Sequence, residues 1–294
     1  MREERLVTNE MVRLPRRERD SHKGDYGKLL IVAGSEGYTG APVFAAQGAL
    51  RSGAGLVYLG VPRDVYPMVA TRCSSAMPFP LLDDTEQLVE RARSCDVVLA
   101  GPGLGRSPRA QQIVFRLIED IEGPLVLDAD GLNALEGQTQ RLRVRTGLTV
   151  LTPHDGEFAR LAGCSLPLND RVEQAAELAQ DTGCVVVLKG HETLTVDPQG
   201  RVWRNTTGNP GMAKGGSGDI LAGMIASLLG QKQLTGCVSC PGELVAWAVY
   251  LHGAAGDAAA AQYGEYGMLP DDTLAAVAGV LQTQIGRASC RERV

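Results

Sequence analysis

Asp219 follows the glycine-rich run GGSG at residues 215–218, and an apolar pattern begins directly after it. The pattern has the i, i+4, i+8 spacing of one helical face, so it predicts a buried helix that begins between Ser217 and Asp219 and ends at Gly230. A helix start has backbone N–H groups without partners and a partial positive charge, and glycine lets a ligand approach closely. Gly215, Gly216, Ser217 and Gly218 are therefore typical of an anion site, most naturally for phosphate.

Asp219 would lie beside that phosphate, where its carboxylate could take the proton of an attacking hydroxyl group. The alternative is structural, with Ser217 or Asp219 as a helix N-cap and the glycines as a turn. This run does not decide between the two interpretations.

Short apolar runs alternate with helical patterns such as residues 41–52 and 170–183. Their continuous hydrophobicity predicts strands covered on both faces, as in a parallel sheet. A hairpin is expected over residues 194–206, near the edge of the sheet. Together they predict a doubly wound α/β fold with a mainly parallel sheet, helices on both faces and an antiparallel edge hairpin. The six runs are 28–34, 55–62, 97–101, 125–130, 149–153 and 184–190.

Ligands of an open parallel sheet bind at the carboxyl ends of its strands, and several polar residues follow these runs. His154 and Glu157 follow one run, and Glu157 could hold Mg²⁺ or only complement a helix dipole. Lys189 ends another run and could meet a phosphate or a ribose, or be solvated. Asp128 and Asp130 would share one strand face, and Asp128, the deeper one, would need a partner or a cation.

Composition favours a small-molecule ligand for this chain of 294 residues. The net charge of -5 argues against a general binder of nucleic acid or membrane surfaces. No run is long and apolar enough to span a bilayer and no signal peptide is recognised, so a cytoplasmic location is expected. Seven scattered cysteines do not suggest a disulfide framework.

We read residues 1–284 as one domain and residues 285–294 as a non-native tail. The sequence of the tail, IGRASCRERV, is basic and lacks apolar periodicity, and its reverse translation can spell a DNA-sequencing adapter. The alternative is an ordinary solvated tail.

Taken together, the motifs resemble the ribokinase-like superfamily and, within it, the ADP- or ATP-dependent NAD(P)H-hydrate dehydratases. They occur in family order between residues 22 and 230, and GGSGD alone would fit any kinase of the superfamily. The motifs are HKGDYGKLLIVAGSEGYTGAP, ALRSGAGLVYLGVP, AGPGLG, LVLDADGLNAL, LTPHDGEF, VVLKGHETL and NTTGNPGMAKGGSGDILAG.

The resemblance implies that (6S)-NADHX and NADPHX, the hydrated forms of the cofactors, are restored to NADH and NADPH. ADP would be consumed with release of phosphate and AMP, or ATP with release of ADP, in the presence of Mg²⁺. It also implies a homotetramer. Many relatives carry an epimerase domain in front of this one, and this chain starts only about twenty residues before the dehydratase motifs, so we expect it not to interconvert the R and S hydrates and a separate epimerase to do so.

The same resemblance assigns roles to individual residues. Ala41, Gly103, His154 and Asp219 would contact the hydrate. Glu157 occupies the place of the kinase NxxE motif, which is associated with Mg²⁺, although His154 replaces its asparagine. The adenine nucleotide would be held by Lys189, Gly190, His191, Glu192, Thr193 and Gly218, and the transferred phosphoryl group by residues 215–218, with Asp219 as the base.

Two other functions remain open at this point. One is a small-molecule kinase of the same superfamily, for hydroxyethylthiazole or a pyrimidine alcohol, with the same anion site and base. The other is a nucleotide-binding module without catalysis, which the presence of Asp219 beside GGSG argues against because a binder needs no base.

Overall fold

A ten-stranded sheet runs through the computed structural model, which describes residues 2–82 and 84–286. The strands are β1 Glu4–Leu6, β2 Lys28–Val32, β3 Leu56–Pro62, β4 Met77–Leu81, β5 Val97–Ala100, β6 Leu125–Leu127, β7 Thr149–Leu151, β8 Val185–Leu188, β9 Leu194–Val196 and β10 Val202–Arg204. Their order in the sheet is β1-β10-β9-β8-β7-β6-β5-β2-β3-β4, and β9 alone runs antiparallel to its neighbours β8 and β10.

Helices cover both faces of this sheet, as predicted. In β2, Leu29 and Ile31 join one apolar cluster while Leu30 and Val32 join the other, because successive strand side chains point to opposite faces. The helices of the described residues are α1 Gly40–Arg51, α2 Tyr66–Ala70, α3 Thr85–Arg93, α4 Pro108–Asp120, α5 Asp130–Asn133, α6 Asp155–Ala162, α7 Arg171–Thr182, α8 Ser217–Gly230, α9 Lys232–Thr235, α10 Pro241–Gly267 and α11 Pro270–Gln284.

The six predicted parallel strands are confirmed as β2, β3, β5, β6, β7 and β8, and the predicted hairpin is confirmed as β9 and β10. Two strands were not predicted, and both lie at sheet edges. The first, β1, is exposed and partly charged, and β4 contains Pro78 and Pro80. An edge strand tolerates proline because one side of its backbone needs no partner, so its sequence lacks the apolar run of a central strand.

Helix α8 begins at Ser217 and ends at Gly230, as predicted, and packs closely on α1. Gly48 on α1 lies against Ile220, and Gly223 on α8 lies against the backbone of Ala45. A β-carbon on Gly48 would collide with the backbone of Ile220, and one on Gly223 would collide with the backbone of Ala45. The two glycines therefore set the distance between the helices. The start of α8 is thereby placed over the carboxyl ends of the central strands.

One prediction about β6 is wrong. The strand ends at Leu127, and Ala129 takes a left-handed φ of 48°, so Asp128 and Asp130 do not alternate on one strand face. Asp128 is nevertheless the deeper of the two carboxylates, with 1% of its surface exposed. Such a backbone is unfavourable for a residue with a β-carbon and occurs where the surrounding structure holds it.

At the end of α11, Ile285 pairs with Leu14, and the N–H of Gly286 donates to the Leu14 carbonyl. The rest of the tail that we read as non-native, residues 287–294, lies outside the described residues. No helix in the described part of the chain is long and apolar enough to cross a membrane.

Candidate active site

The glycine-rich run forms an open turn at the start of α8. Gly216 takes a φ of 106°, which a residue with a β-carbon rarely adopts, and space is open around Gly215. Within the described residues, no hydrogen-bond acceptor lies opposite the backbone N–H of Gly218 or Asp219. These donors and the positive end of the helix dipole can therefore bind an anion.

A buried ion pair lies beside this turn. The Lys189 ammonium donates to Oδ1 of Asp128 over 2.8 Å, and the hydroxyl of Thr152 donates to the same oxygen over 2.7 Å. Asp128 thus has the partner that its depth requires. A β-carbon on Gly218 would lie 3.5 Å from Nζ of Lys189, so the ammonium is next to the anion site.

His154 and Glu157 form a reciprocal cap at the start of α6. The N–H of His154 donates to Oε2 of Glu157 over 2.9 Å, and the N–H of Gly156 donates to Nδ1 of His154 over 3.0 Å. The ring is still more than half exposed. With Nδ1 accepting, a neutral His154 presents an Nε2–H donor. Oε2 of Glu157 also lies 3.7 Å from Nζ of Lys189, which joins the cap to the ion pair.

The charges and the burial of this cluster shift the pKa values of Asp219 and Lys189. Burial and then the charge of Asp128 raise the pKa of Asp219 to about 7, against the effect of Lys189. Burial would lower the pKa of Lys189, but Asp128 and Glu157 raise it overall. Asp219 can therefore exchange a proton near neutral pH beside a lysine that stays charged.

Ala41 and Gly103 are neighbours, as shared contact with one ligand requires. A β-carbon on Gly103 would lie 3.0 Å from that of Ala41 and 2.8 Å from that of Tyr38. Gly103 has a φ of 59°, and its carbonyl accepts from the Ser35 hydroxyl over 2.8 Å. Gly103 is buried, and the absence of a β-carbon lets its turn pack directly against Tyr38 and Ala41.

The predicted nucleotide segment after β8 is only partly near this cluster. The hydroxyl of Thr193 donates to the Gly190 carbonyl over 3.0 Å, so it closes the loop on itself. Glu192 pairs with Arg204 at 3.0 Å, and the carbonyl of His191 accepts from Arg171. In the described part of the chain, no hydrogen bond or ion pair links the side chains of His191 or Glu192 to Asp128, Lys189 or Asp219.

Two residues of α10 also contact the glycine-rich segment from Thr207 to Ser217, and neither of them was predicted from the sequence. Nε2 of buried His252 lies 3.5 Å from Oγ of Ser217, and Asp257 accepts from the backbone of Gly208. Both stand in an alanine-rich apolar pattern that predicts only a helix. A histidine within such a pattern was the available signal.

Comparison with known proteins shows which family the chain belongs to. The model of a family described as NAD(P)H-hydrate dehydratase matches residues 29–278. The chain is 44% identical over 283 residues to a bifunctional NAD(P)H-hydrate repair enzyme of Moorella thermoacetica, covering 92% of this chain and 52% of that protein. The chain thus spans about half the length of that relative.

Two further similarities cover nearly whole proteins. An ADP-dependent (S)-NAD(P)H-hydrate dehydratase of Neisseria meningitidis serogroup B is 38% identical over 82% of this chain and 80% of its own length. A Bacillus subtilis ADP/ATP-dependent NAD(P)H-hydrate dehydratase, co-crystallized with ATP/Mg²⁺, superposes with a TM-score of 0.80 and 33% identity, over 95% of this chain and 98% of that one. The chain therefore belongs to the NAD(P)H-hydrate dehydratase family.

Proposed function

We propose that the chain dehydrates (6S)-NADHX and NADPHX to NADH and NADPH, with ADP or ATP as the co-substrate. The observation that carries this proposal is Asp219, whose pKa of about 7 accompanies N–H groups at the start of α8 that have no acceptor among the described residues. A base that titrates near neutrality beside an anion site suits phosphoryl transfer to a hydroxyl group. Similarity to the Neisseria dehydratase supports both the substrate and ADP.

The first step transfers the terminal phosphoryl group of the nucleotide to the C6 hydroxyl of the hydrate. As the hydroxyl oxygen bonds to phosphorus, the bond from phosphorus to the bridging oxygen breaks and AMP leaves, or ADP when ATP is used. Asp219 takes the hydroxyl proton. The N–H groups of Gly218 and Asp219 and the Lys189 ammonium stabilise the charge on the phosphoryl oxygens.

The second step is elimination. The lone pair of the ring nitrogen expels phosphate from C6, and loss of a proton from C5 then restores the double bond of the dihydronicotinamide. Phosphorylation converts hydroxide, a poor leaving group, into phosphate. This requirement explains why a kinase-like anion site would serve a dehydration.

The hydrate would lie against Ala41 and Gly103, with His154 at the end of β7, two strands from β5 along the same edge of the sheet. We propose that the Nε2–H of His154, which lies 3.5 Å from Oε1 of Glu157, donates to the hydrated dinucleotide when it binds, since Nδ1 accepts from Gly156. The nucleotide would follow Gly218 and residues 189–193, with Lys189 at its phosphates. For His191, Glu192 and Thr193 this remains a prediction from family resemblance.

Magnesium would accompany the nucleotide phosphates. Among the described residues, no group of three or more histidine, cysteine, aspartate or glutamate side chains could hold a metal ion. Carboxylate oxygen is nevertheless the donor that Mg²⁺ prefers, and the ion commonly binds through one or two carboxylates plus substrate phosphates. Glu157 is the residue that would hold the ion, since its carboxylate lies near Lys189, which in turn lies beside Gly218 at the anion site. Bound Mg²⁺ would neutralise charge on the transferred group.

The assembly and the cellular setting are further proposals. We infer a homotetramer in the cytoplasm that acts with an epimerase able to interconvert the two hydrates. Sedimentation analysis of the purified chain tests the homotetramer. The need for an epimerase is tested by the fraction of a mixture of R and S hydrates that is consumed with and without an added epimerase.

The proposed activity is tested by mixing the protein with NADHX, Mg²⁺ and either ADP or ATP, and following absorbance at the reduced-nicotinamide band. We expect a rise that requires nucleotide and stops when the S hydrate is spent. Omission of each nucleotide is the control. No rise, from folded protein that binds nucleotide, would contradict the dehydratase and direct attention to phosphorylation of small alcohols.

The pH dependence of this reaction follows from Asp219. The carboxylate must be ionised to accept a proton, so kcat/KM should be level above pH 7 and fall about tenfold per unit below it. The control is Asp130→Asn, because the Asp130 charge also raises the pKa of Asp219. That variant should shift the midpoint to lower pH, whereas a parent profile that stays level to pH 5 would exclude Asp219 as the base.

A further inference from the structure

The segment HGAAGD of α10, residues 252–257, lies against the glycine-rich segment from Thr207 to Ser217. A β-carbon on Gly253 would collide with Thr207, and one on Gly256 would collide with Met212. Gly253 and Gly256 therefore let the glycine-rich segment lie directly on α10. Close backbone packing of this kind fixes the position of the segment.

Polar contacts also hold both ends of the glycine-rich segment on α10. At the first end, Oδ2 of Asp257 accepts from the N–H of Gly208 over 2.9 Å, and Oδ1 accepts from the side chain of Asn209 over 3.0 Å. At the other end, Nε2 of His252 lies 3.5 Å from Oγ of Ser217, the first residue of α8. Helix α10 therefore contacts the segment before and at the anion site.

His252 is suited to direct the Ser217 hydroxyl. Only 7% of its surface is exposed, and burial lowers its pKa to about 4, so the ring is neutral at pH 7. A neutral imidazole has one N–H donor. With Nε2–H as the donor to Oγ of Ser217, the hydroxyl hydrogen points away from the ring and is available to an anion bound at the start of α8.

We propose that His252 is a positioning residue that acts through Ser217, orienting its hydroxyl as a donor to the phosphoryl group bound at the start of α8. This proposal rests on the proposed anion site but not on the dehydration chemistry. It is therefore tested by the affinity of the protein for ADP with Mg²⁺, measured by calorimetry, as well as by kcat.

The test compares two polar replacements of the same ring. The amide of His252→Gln reaches about as far as Nε2, while the shorter amide of His252→Asn reaches only as far as Nδ1 and cannot contact Ser217. We expect His252→Asn to weaken ADP binding about tenfold, as loss of one hydrogen bond to a charged group predicts, and His252→Gln to stay within about threefold of the parent. Equal losses in both variants would overturn the proposal.

A double-mutant cycle shows whether His252 acts through Ser217. Ser217→Ala should weaken ADP binding about as much as His252→Asn, and the double variant should be no worse than either, because the two changes remove one interaction. Asp257→Asn is the matched control at the other end of the segment, and its effect should multiply with that of Ser217→Ala. Multiplying effects of His252→Asn and Ser217→Ala would show that His252 acts on the fold alone and would defeat the proposal.

The two proposals fail in different ways. ADP affinity that follows this pattern without turnover of NADHX would contradict the dehydratase and leave the role of His252 intact. Turnover of NADHX with ADP affinity unchanged in His252→Asn would do the reverse.

Discussion

Replacement of Asp219 by asparagine should remove turnover while nucleotide binding survives. The amide has the size of the carboxylate but cannot accept the hydroxyl proton, so we expect kcat to fall about 10³-fold, within the usual contribution of a general base. ADP affinity should stay within about threefold of the parent, because the N–H groups of Gly218 and Asp219 are unchanged. Steady-state kinetics on NADHX and calorimetry with ADP provide the two measurements.

The same variant should be the more stable protein at high pH. The folded-state pKa of Asp219, about 7, lies above its unfolded value of 3.8, so its contribution to stability is complete below pH 3.8 and is lost as the pH rises through 7. Asparagine resembles the protonated acid, so the Tm of Asp219→Asn should exceed that of the parent above pH 7 and match it near pH 3.

The kinetic prediction has a clear contrary outcome. If Asp219→Asn keeps turnover within tenfold of the parent, another group is the base.

Lys189→Met should cost both stability and nucleotide affinity. Only 2% of the Asp128 side chain is exposed, and removal of its partner leaves a buried charge unpaired. Breaking a buried pair in this way costs about 3–5 kcal/mol. At roughly 2–4 °C per kcal/mol for a large domain, the Tm should fall by about 10 °C in a thermal unfolding scan.

Two variants test this explanation. Asp128→Asn combined with Lys189→Met removes the unpaired charge, so most of the lost Tm should return while ADP affinity remains low, since the ammonium beside Gly218 is still absent. Lys232→Met is the matched surface control, because Lys232 is 80% exposed and pairs with Asp96 in solvent. Such an exposed pair contributes at most about 1 kcal/mol. A Tm loss in Lys189→Met no larger than that of Lys232→Met would contradict the role given to the buried pair.

Local sequence was sufficient wherever one element determines the outcome. The run KLLIV at β2 predicts a strand covered on both faces, and the structure buries alternate residues of it in two clusters. The start of α8 was predictable for the same reason, because its glycines and its apolar periodicity lie in one continuous stretch of sequence. Strand β4 was not predicted because it contains two prolines, which are typical of a loop. An edge strand tolerates them, since one side of its backbone has no neighbouring strand.

The sequence by itself therefore determined the fold class, and it predicted the anion site at residues 215–218 and the base Asp219, since each of these depends on neighbouring residues. Tertiary structure alone decided the partners of these groups. Lys189 meets Asp128 across 61 positions, and Ser217 meets His252 across 35. Sequence spacing carries no information on such contacts, because sheet order and helix packing bring the residues together. The same packing buries Asp219 beside Asp128 and so raises its pKa to about 7, a property that no local pattern contains.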